Sequence, residues 1–180
     1  SKVSIDYKYY MILPAKQWVF PPQDLALPAH TVHLWIARLD VPEDAHRRFL
    51  SWLSPDEGQR AEKFAFDKHR IQFINGRGLL RKILGQYLKL APDQLRFRYT
   101  PFGKPEIESP DMQSVIFFNL SHSNGVALFA FAKNMEIGVD IEFIRLRTDI
   151  EQSGSIVFSP PEIAAIRALS LELRRTAFFR

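Results

Sequence analysis

The segment Ile137-Gly138-Val139-Asp140-Ile141-Glu142 sets two carboxylates at positions i and i+2 of a short apolar run. In a β-strand, side chains two apart point to one face. The spacing therefore predicts that Asp140 and Glu142 converge while Val139 and Ile141 enter a core. Two hard oxygen donors on one face can hold Mg²⁺, which keeps several waters and completes its shell with substrate phosphate oxygens. An alternating strand with its polar face in solvent gives the same pattern, so further groups must join the pair. Asn119-Leu120-Ser121-His122-Ser123 reads as a polar turn capping a strand, with hydroxyls, an imidazole and backbone N–H groups able to grip a phosphate. Ordinary hairpin-turn residues would look similar. Gly103-Lys104-Pro105 holds a lysine on a rigid turn, and Arg60 lies on an amphipathic helix that follows Pro55. Taken singly, each of these cations also fits a solvated surface charge. His30, His33, His46 and His69 have no metal-ligand spacing and read as surface or packing residues. The motifs G-x-x-x-x-G-K-[ST], G-x-G-x-x-G and G-x-S-x-G are absent, against P-loop, Rossmann and hydrolase chemistry.

The elements that must position these groups follow from periodicity and punctuation. Residues 1–30, with Pro21-Pro22 and Pro28, read as an extended arm. Val32–Leu39 is rich in β-formers and predicts a strand. Ser54-Pro55-Asp56-Glu57 carries Ser at N-cap, Pro at N1 and Glu at N3, which predicts a helix to about Phe66. Asp67 starts a longer helix with an apolar stripe through Ile71, Ile74, Leu80, Ile83, Leu84, Tyr87 and Leu88. Gly76 and Gly78 interrupt that helix and predict close packing against another element. Leu95–Tyr99, Val115–Leu120, Gly125–Ala132 and Ile137–Glu142 read as strands, with Ser121–Asn124 as a connecting turn. Ser159-Pro160-Pro161-Glu162 repeats the capping-box arrangement before a final helix. The order predicts an α+β fold rather than a doubly wound parallel sheet.

The chain has 180 residues, 46% hydrophobic and 13% aromatic, enough for one domain or two small subdomains with a sizeable core. The phenylalanines fall mostly within predicted strands and helices and read as core, not as a base-stacking platform. No run of about 18 apolar residues predicts a membrane span. No secretory pattern is present, and cysteine is absent, which excludes disulfides and thiolate chemistry and fits a cytoplasmic protein. A net charge of +4 suits an anionic ligand or an acidic protein partner, while its dispersal argues against nucleic acid.

In order and spacing these motifs resemble the 4′-phosphopantetheinyl transferases of the surfactin-synthetase-activating type. The resemblance runs from Val32-His33-Leu34-Trp35 through Arg60–Phe64, Gly76-Arg77-Gly78-Leu79-Leu80-Arg81 and Phe102-Gly103-Lys104-Pro105. It continues through Phe118–Ser123 and Gly138–Glu142 to Phe158-Ser159-Pro160-Pro161-Glu162. It implies a pseudo-twofold pair of α/β subdomains, residues 31–113 and 114–180, with coenzyme A in the cleft between them. By resemblance Asp140 and Glu142 hold Mg²⁺ on the coenzyme A pyrophosphate, and Lys104 neutralises phosphate charge. Ser121 and His122, with Asn119 beside them, bind the nucleotide's phosphate end, and Arg60 meets its 3′-phosphate region. The implied reaction moves phosphopantetheine from coenzyme A to a serine of an acyl, peptidyl or polyketide carrier protein, releasing adenosine 3′,5′-bisphosphate. Carrier proteins are typically acidic, which suits a mildly basic, monomeric transferase. Glu162 belongs to the family's third motif, where its capping-box position serves structure at least as well as catalysis. The family continues with a Trp-x-x-Lys-Glu segment that this chain, ending at Phe178-Phe179-Arg180, does not contain. The second subdomain is accordingly expected to be incomplete. A non-catalytic coenzyme A or nucleotide-binding module is the competing reading.

Overall fold

The structure, a computed structural model, describes residues 24–101, 103–108, 116–143 and 159–169. Residues 1–23 of the predicted arm, Phe102, the 113/114 subdomain boundary, Phe158 and residues 170–180 lie outside the described residues. The chain divides into two compact units, Ser1–Ile141 and Glu142–Arg180.

In the first unit, β1 (Val32–Arg38) leads to α1 (Glu43–Trp52), α2 (Pro55–Glu62) and α3 (Asp67–Leu88). A 3₁₀ turn over Pro92–Gln94 then precedes β2 (Phe97–Tyr99), β3 (Pro105–Ile107), β4 (Ile116–Ser123) and β5 (Val126–Lys133). β5 is the middle strand of an antiparallel sheet ordered β1-β5-β4, and β2 and β3 form a separate two-stranded sheet. Register puts His33, Trp35 and Ala37 of β1 opposite Phe131, Phe129 and Ala127 of β5. Phe118, Leu120 and His122 of β4 meet the same three β5 residues from the other side. Side chains alternate along a strand, so these nine residues share one face. Phe118, Phe129, Phe131, Ala37 and Ala127 join Leu79, Leu80, Ile83 and Leu84 of α3 in the main core. The α+β class expected from the sequence is what these elements make.

Helix α1 is absent from the sequence expectations. Glu43 and Asp44 suit its first turn and pair with Arg47 and Arg48 one turn on. Its short apolar face buries Ala45 and Phe49. The close packing expected at the two glycines is found at Gly78, where a Cβ would lie 2.3 Å from Phe49 Cβ, but not at Gly76, where it would meet Leu39 at an ordinary 3.7 Å. Ile71, expected in the stripe, is instead exposed.

Three further expectations change. Helix α2 stops at Glu62, short of Phe66, because Phe66 is the extended N-cap residue of α3. Ser121, His122 and Ser123 continue β4, and the turn is Asn124-Gly125, with φ of 49° and 78°. Two successive left-handed residues are what a two-residue hairpin needs, and Asn-Gly supplies them at least cost. Ile137–Glu142 forms no ladder strand. It runs beside β4 in the same direction, but Val139 N–H donates to Asn119 Oδ1 at 3.4 Å and Ile141 N–H to Ser121 Oγ at 3.2 Å. Side-chain oxygens of β4 take the places that carbonyls would hold in a sheet. The alternation survives, with Ile137, Val139 and Ile141 half-buried and Gly138, Asp140 and Glu142 exposed, but Val139 and Ile141 stop short of the core they were expected to enter.

In the second unit, α4 (Pro160–Ala168) is the described element. Ser159 N–H and Oγ donate to Glu162 Oε2 at 2.8 and 2.7 Å. These bonds hold the Glu162 carboxyl below the usual carboxylate range.

Candidate functional site

A cleft of about 350 Å³ opens in the first unit, bordered by Arg60 of α2, Phe73 and Arg77 of α3, Lys104 before β3, and Asn119 and His122 of β4. The site is assembled by local rules visible in each element. Ser54 N–H and Oγ reach Glu57 Oε2 at 3.1 and 3.2 Å, fixing the start of α2. That start places Arg60 in the last turn of α2, where its guanidinium lies 5.7 Å from the Phe73 ring centroid.

Lys104 closes the β2–β3 turn. Thr100 N–H donates to its carbonyl at 2.9 Å, and its own N–H donates to Thr100 Oγ1 at 3.1 Å. Gly103, at φ 77°, lets the turn close. Lys104 Nζ then donates to the Ile137 carbonyl at 3.4 Å. The ammonium therefore reaches the segment that carries Asp140. Ser121 Oγ donates to Asp140 Oδ1 at 2.6 Å, and the same oxygen accepts the Ile141 N–H at 2.9 Å. The Asp140 carboxylate is exposed yet oriented by two bonds.

β4 divides its predicted residues between its faces. His122 projects on the side of Phe118 and Leu120, while Asn119 and Ser121 project on the side where residues 139 and 141 run. Thus Arg60, Lys104, Asn119 and His122 border one cleft, Ser121 holds Asp140 beside β4, and Glu142 is exposed at the start of the second unit. Among the described residues no three or more His, Cys, Asp or Glu side chains gather as a metal site.

The sequence reading missed the ion cluster behind the cleft. Glu57, expected only as a capping residue, is 0% exposed. Arg81 Nε donates to its Oε2 at 2.8 Å, with Arg81 Nη2 2.6 Å away, and Arg77 Nε lies 3.6 Å from Oε1. Arg81 Nη1 also donates to the carbonyls of Pro92 and Leu95, fastening the 3₁₀ turn to α3. Arg77 Nη2 donates to Tyr99 Oη at 3.0 Å. Burial lowers the Arg77 pKa, against the raising influence of Tyr99 and Glu57. Burial raises the Tyr99 pKa, with Arg77 opposing. The signal was the spacing of the two arginines, four apart on one helix face, with Arg77 set between Gly76 and Gly78, which a solvated helix would not need.

The described part of the chain contains no helix long and apolar enough to cross a membrane. The family model described as "4′-phosphopantetheinyl transferase, N-terminal" matches residues 41–134. The chain is 40% identical over 163 residues to the 4′-phosphopantetheinyl transferase HetI of Nostoc sp., covering 91% of this chain and 69% of that protein. It is 30% identical over 102 residues to the 4′-phosphopantetheinyl transferase Sfp of Bacillus subtilis, covering 57% of this chain and 44% of that one. Among solved structures, the holo-[acyl-carrier-protein] synthase of Helicobacter pylori in complex with coenzyme A aligns with a TM-score of 0.44 and 16% identity, over 58% of this chain and all of that one. The chain thus spans about two thirds of HetI and less than half of Sfp. On the family match and the HetI identity, this chain belongs to the 4′-phosphopantetheinyl transferase family.

Proposed function

We propose that the protein transfers 4′-phosphopantetheine from coenzyme A to a serine of an acyl, peptidyl or polyketide carrier protein, with Mg²⁺, releasing adenosine 3′,5′-bisphosphate. The observation that carries this reading is the cleft itself. In a chain of this family, cations from α2, α3 and the β2–β3 turn meet at one concave surface, as a ligand with several phosphate charges requires.

Lys104, whose ammonium reaches the Ile137 carbonyl in the segment that carries Asp140, suits the pyrophosphate, whereas Arg60 suits the nucleotide's 3′-phosphate region. His122 and the polar side of β4 through Asn119 and Ser121 complete the phosphate contacts. Asp140, exposed and held by Ser121, fits a hard cation that takes few protein ligands and draws the rest from phosphate and water. Glu142, two residues on, is the second carboxylate. Bound there, Mg²⁺ supplies neutralisation of the pyrophosphate charge.

In the transfer, the carrier serine oxygen forms a bond to the β-phosphorus of coenzyme A. The bond from that phosphorus to adenosine 3′,5′-bisphosphate breaks, and the hydroxyl proton leaves to a base. The protein's share is positioning together with stabilisation of charge on the phosphoryl oxygens. Lys104 shares that charge from a turn fixed by Thr100. The protein acts in the cytoplasm as a monomer.

The test is transfer from fluorescent coenzyme A to an apo carrier protein, with Mg²⁺ and with EDTA. Label on the carrier that requires Mg²⁺ is expected. Coenzyme A binding without transfer would favour the non-catalytic module, and absence of binding would overturn the reading.

A further inference from the structure

The segment that carries Asp140 lies along β4 without a ladder, and three side chains fasten its backbone at alternate residues. Lys104 Nζ donates to the Ile137 carbonyl at 3.4 Å, Asn119 Oδ1 accepts the Val139 N–H at 3.4 Å, and Ser121 Oγ accepts the Ile141 N–H at 3.2 Å. Asn119 and Ser121 stand two apart on β4, and the amides they hold stand two apart on the segment, so both pairs share an offset of 20 positions. Asp140 lies between those two amides. One hydrogen bond is a pivot, and a segment held at Ile141 alone can swing about it. A second bond on the other side of Asp140 fixes direction and register together. Register matters because a slip of one residue exchanges the two faces, turning Asp140 inward and Val139 and Ile141 out. The Val139 backbone is half-buried, where an amide donor needs an acceptor. Ser121 cannot supply both rungs, since its hydroxyl already serves the Ile141 N–H and Asp140 Oδ1.

We propose that Asn119 is a positioning residue for the Asp140 carboxylate, acting through its Oδ1 on the Val139 amide to hold the segment in register on β4. This rests on the reading of Asp140 as a ligand of the divalent cation. Ser121 fixes the downstream side of Asp140 and orients its carboxylate, and Asn119 fixes the upstream side. A group that holds a metal ligand in place affects metal affinity without touching the ion. The task needs an oxygen at position 119 and not an amide nitrogen. A carboxamide offers both an acceptor and a donor, whereas an ionised carboxylate offers acceptors alone. An aspartate there therefore keeps the bond to Val139, and a leucine of similar size loses it.

The experiment compares the wild type with Asn119→Leu and Asn119→Asp in two measurements. Amide hydrogen exchange at Val139 is followed by nuclear magnetic resonance on the metal-free protein. The dissociation constant of Mn²⁺, which accepts the same oxygen ligands as Mg²⁺, is measured by electron paramagnetic resonance with coenzyme A present. In Asn119→Leu the Val139 amide should exchange about tenfold faster or more, and Mn²⁺ should bind about tenfold more weakly. Asn119→Asp should stay close to the wild type in both. Each variant removes the amide donor, so a role confined to contact with the bound nucleotide would leave Val139 exchange unchanged, and that result overturns the proposal. Faster exchange with unchanged Mn²⁺ affinity would mean a purely structural bond and overturns it too, as would an aspartate variant no better than the leucine one. If Asn119→Leu fails to fold, Asn119→Ala decides on the same readings. A wild type that binds coenzyme A but not Mn²⁺ overturns the cation reading along with the proposal.

Discussion

Glu57→Ala is the most severe single change the structure defines in the first unit. The carboxylate sits at the junction of α2 and α3 and performs two tasks with one group. Its Oε2 closes the capping box with Ser54 and pairs with Arg81 at 2.6–2.8 Å, and its Oε1 is the anion nearest Arg77. Removing a cap acceptor costs about 1 kcal/mol. Removing one partner of a buried ion pair costs about 3–5 kcal/mol, because the remaining charge is stranded. Here two guanidiniums would be stranded together. The contributions overlap, since one side chain makes them all, so the expected loss is about 4–5 kcal/mol rather than a full sum. Urea unfolding at neutral pH followed by far-ultraviolet circular dichroism measures it. For a protein of this size the melting temperature should fall by about 8–20 °C. Combined with Glu57→Ala, Arg81→Met should cost less than it does alone, because it then removes a stranded charge and gives up only its bonds to the Pro92 and Leu95 carbonyls. A loss below about 1 kcal/mol, or a double variant worse than the sum of its singles, would refute the claim that the cluster's energy lies in charge compensation.

The helix glycines give a matched pair. Gly78→Ala should destabilise by about 1–3 kcal/mol, since the new Cβ would fall 2.3 Å from Phe49. Gly76→Ala, with ordinary contact distance to Leu39, should stabilise by up to about 1 kcal/mol in the same melts. Ser121→Ala should raise the Mg²⁺ concentration needed for half-maximal transfer by about tenfold, because Asp140 loses the bond that orients it; Asp140→Ala should abolish Mg²⁺-dependent transfer with the fold intact. Lys104→Ala should weaken coenzyme A binding by about tenfold, measured by calorimetry. Burial raises the Tyr87 phenol pKa, partly offset by the Trp35 hydrogen bond. The folded state therefore holds this proton where the unfolded chain has lost it. Stability should be whole below about pH 10 and decline as pH rises beyond it, and Tyr87→Phe should flatten that decline in urea titrations.

Much of this organisation is legible in the sequence, and the parts that are not have identifiable causes. The capping box at Ser54 and the close approach at Gly78 rest on chemistry confined to a few adjacent residues, and both are found. Helix α1 escaped notice because Ala45 and Phe49 leave its buried face so narrow that it lacks a strong period. The segment 137–142 keeps strand alternation without being a strand, since burial sets alternation but ladder bonds need carbonyl partners, and Asn119 and Ser121 intervene. The reading of Ser121–Asn124 as a turn overlooked Asn124-Gly125, whose left-handed pair fixes the hairpin two residues further on. Glu57 shows the general limit. A residue that satisfies a local rule stops attracting attention, and its long-range partners, twenty and twenty-four positions away, are then missed.

The register of the sheet bears on how the chain reaches this state. Val32 pairs with Ala132, and β5, the strand between β1 and β4, is the last of the three in the chain. During synthesis β1 emerges early but has no neighbour to bond until some hundred further residues have followed. The contacts of α1 with α3 and of Arg81 with the 3₁₀ turn are nearer in sequence and can form in the meantime. Folding should accordingly be limited by closure of one long loop onto β5, a slow, high-contact-order step. A chain interrupted before Val126 would display β1 without its β5 partner, open to pairing with other chains.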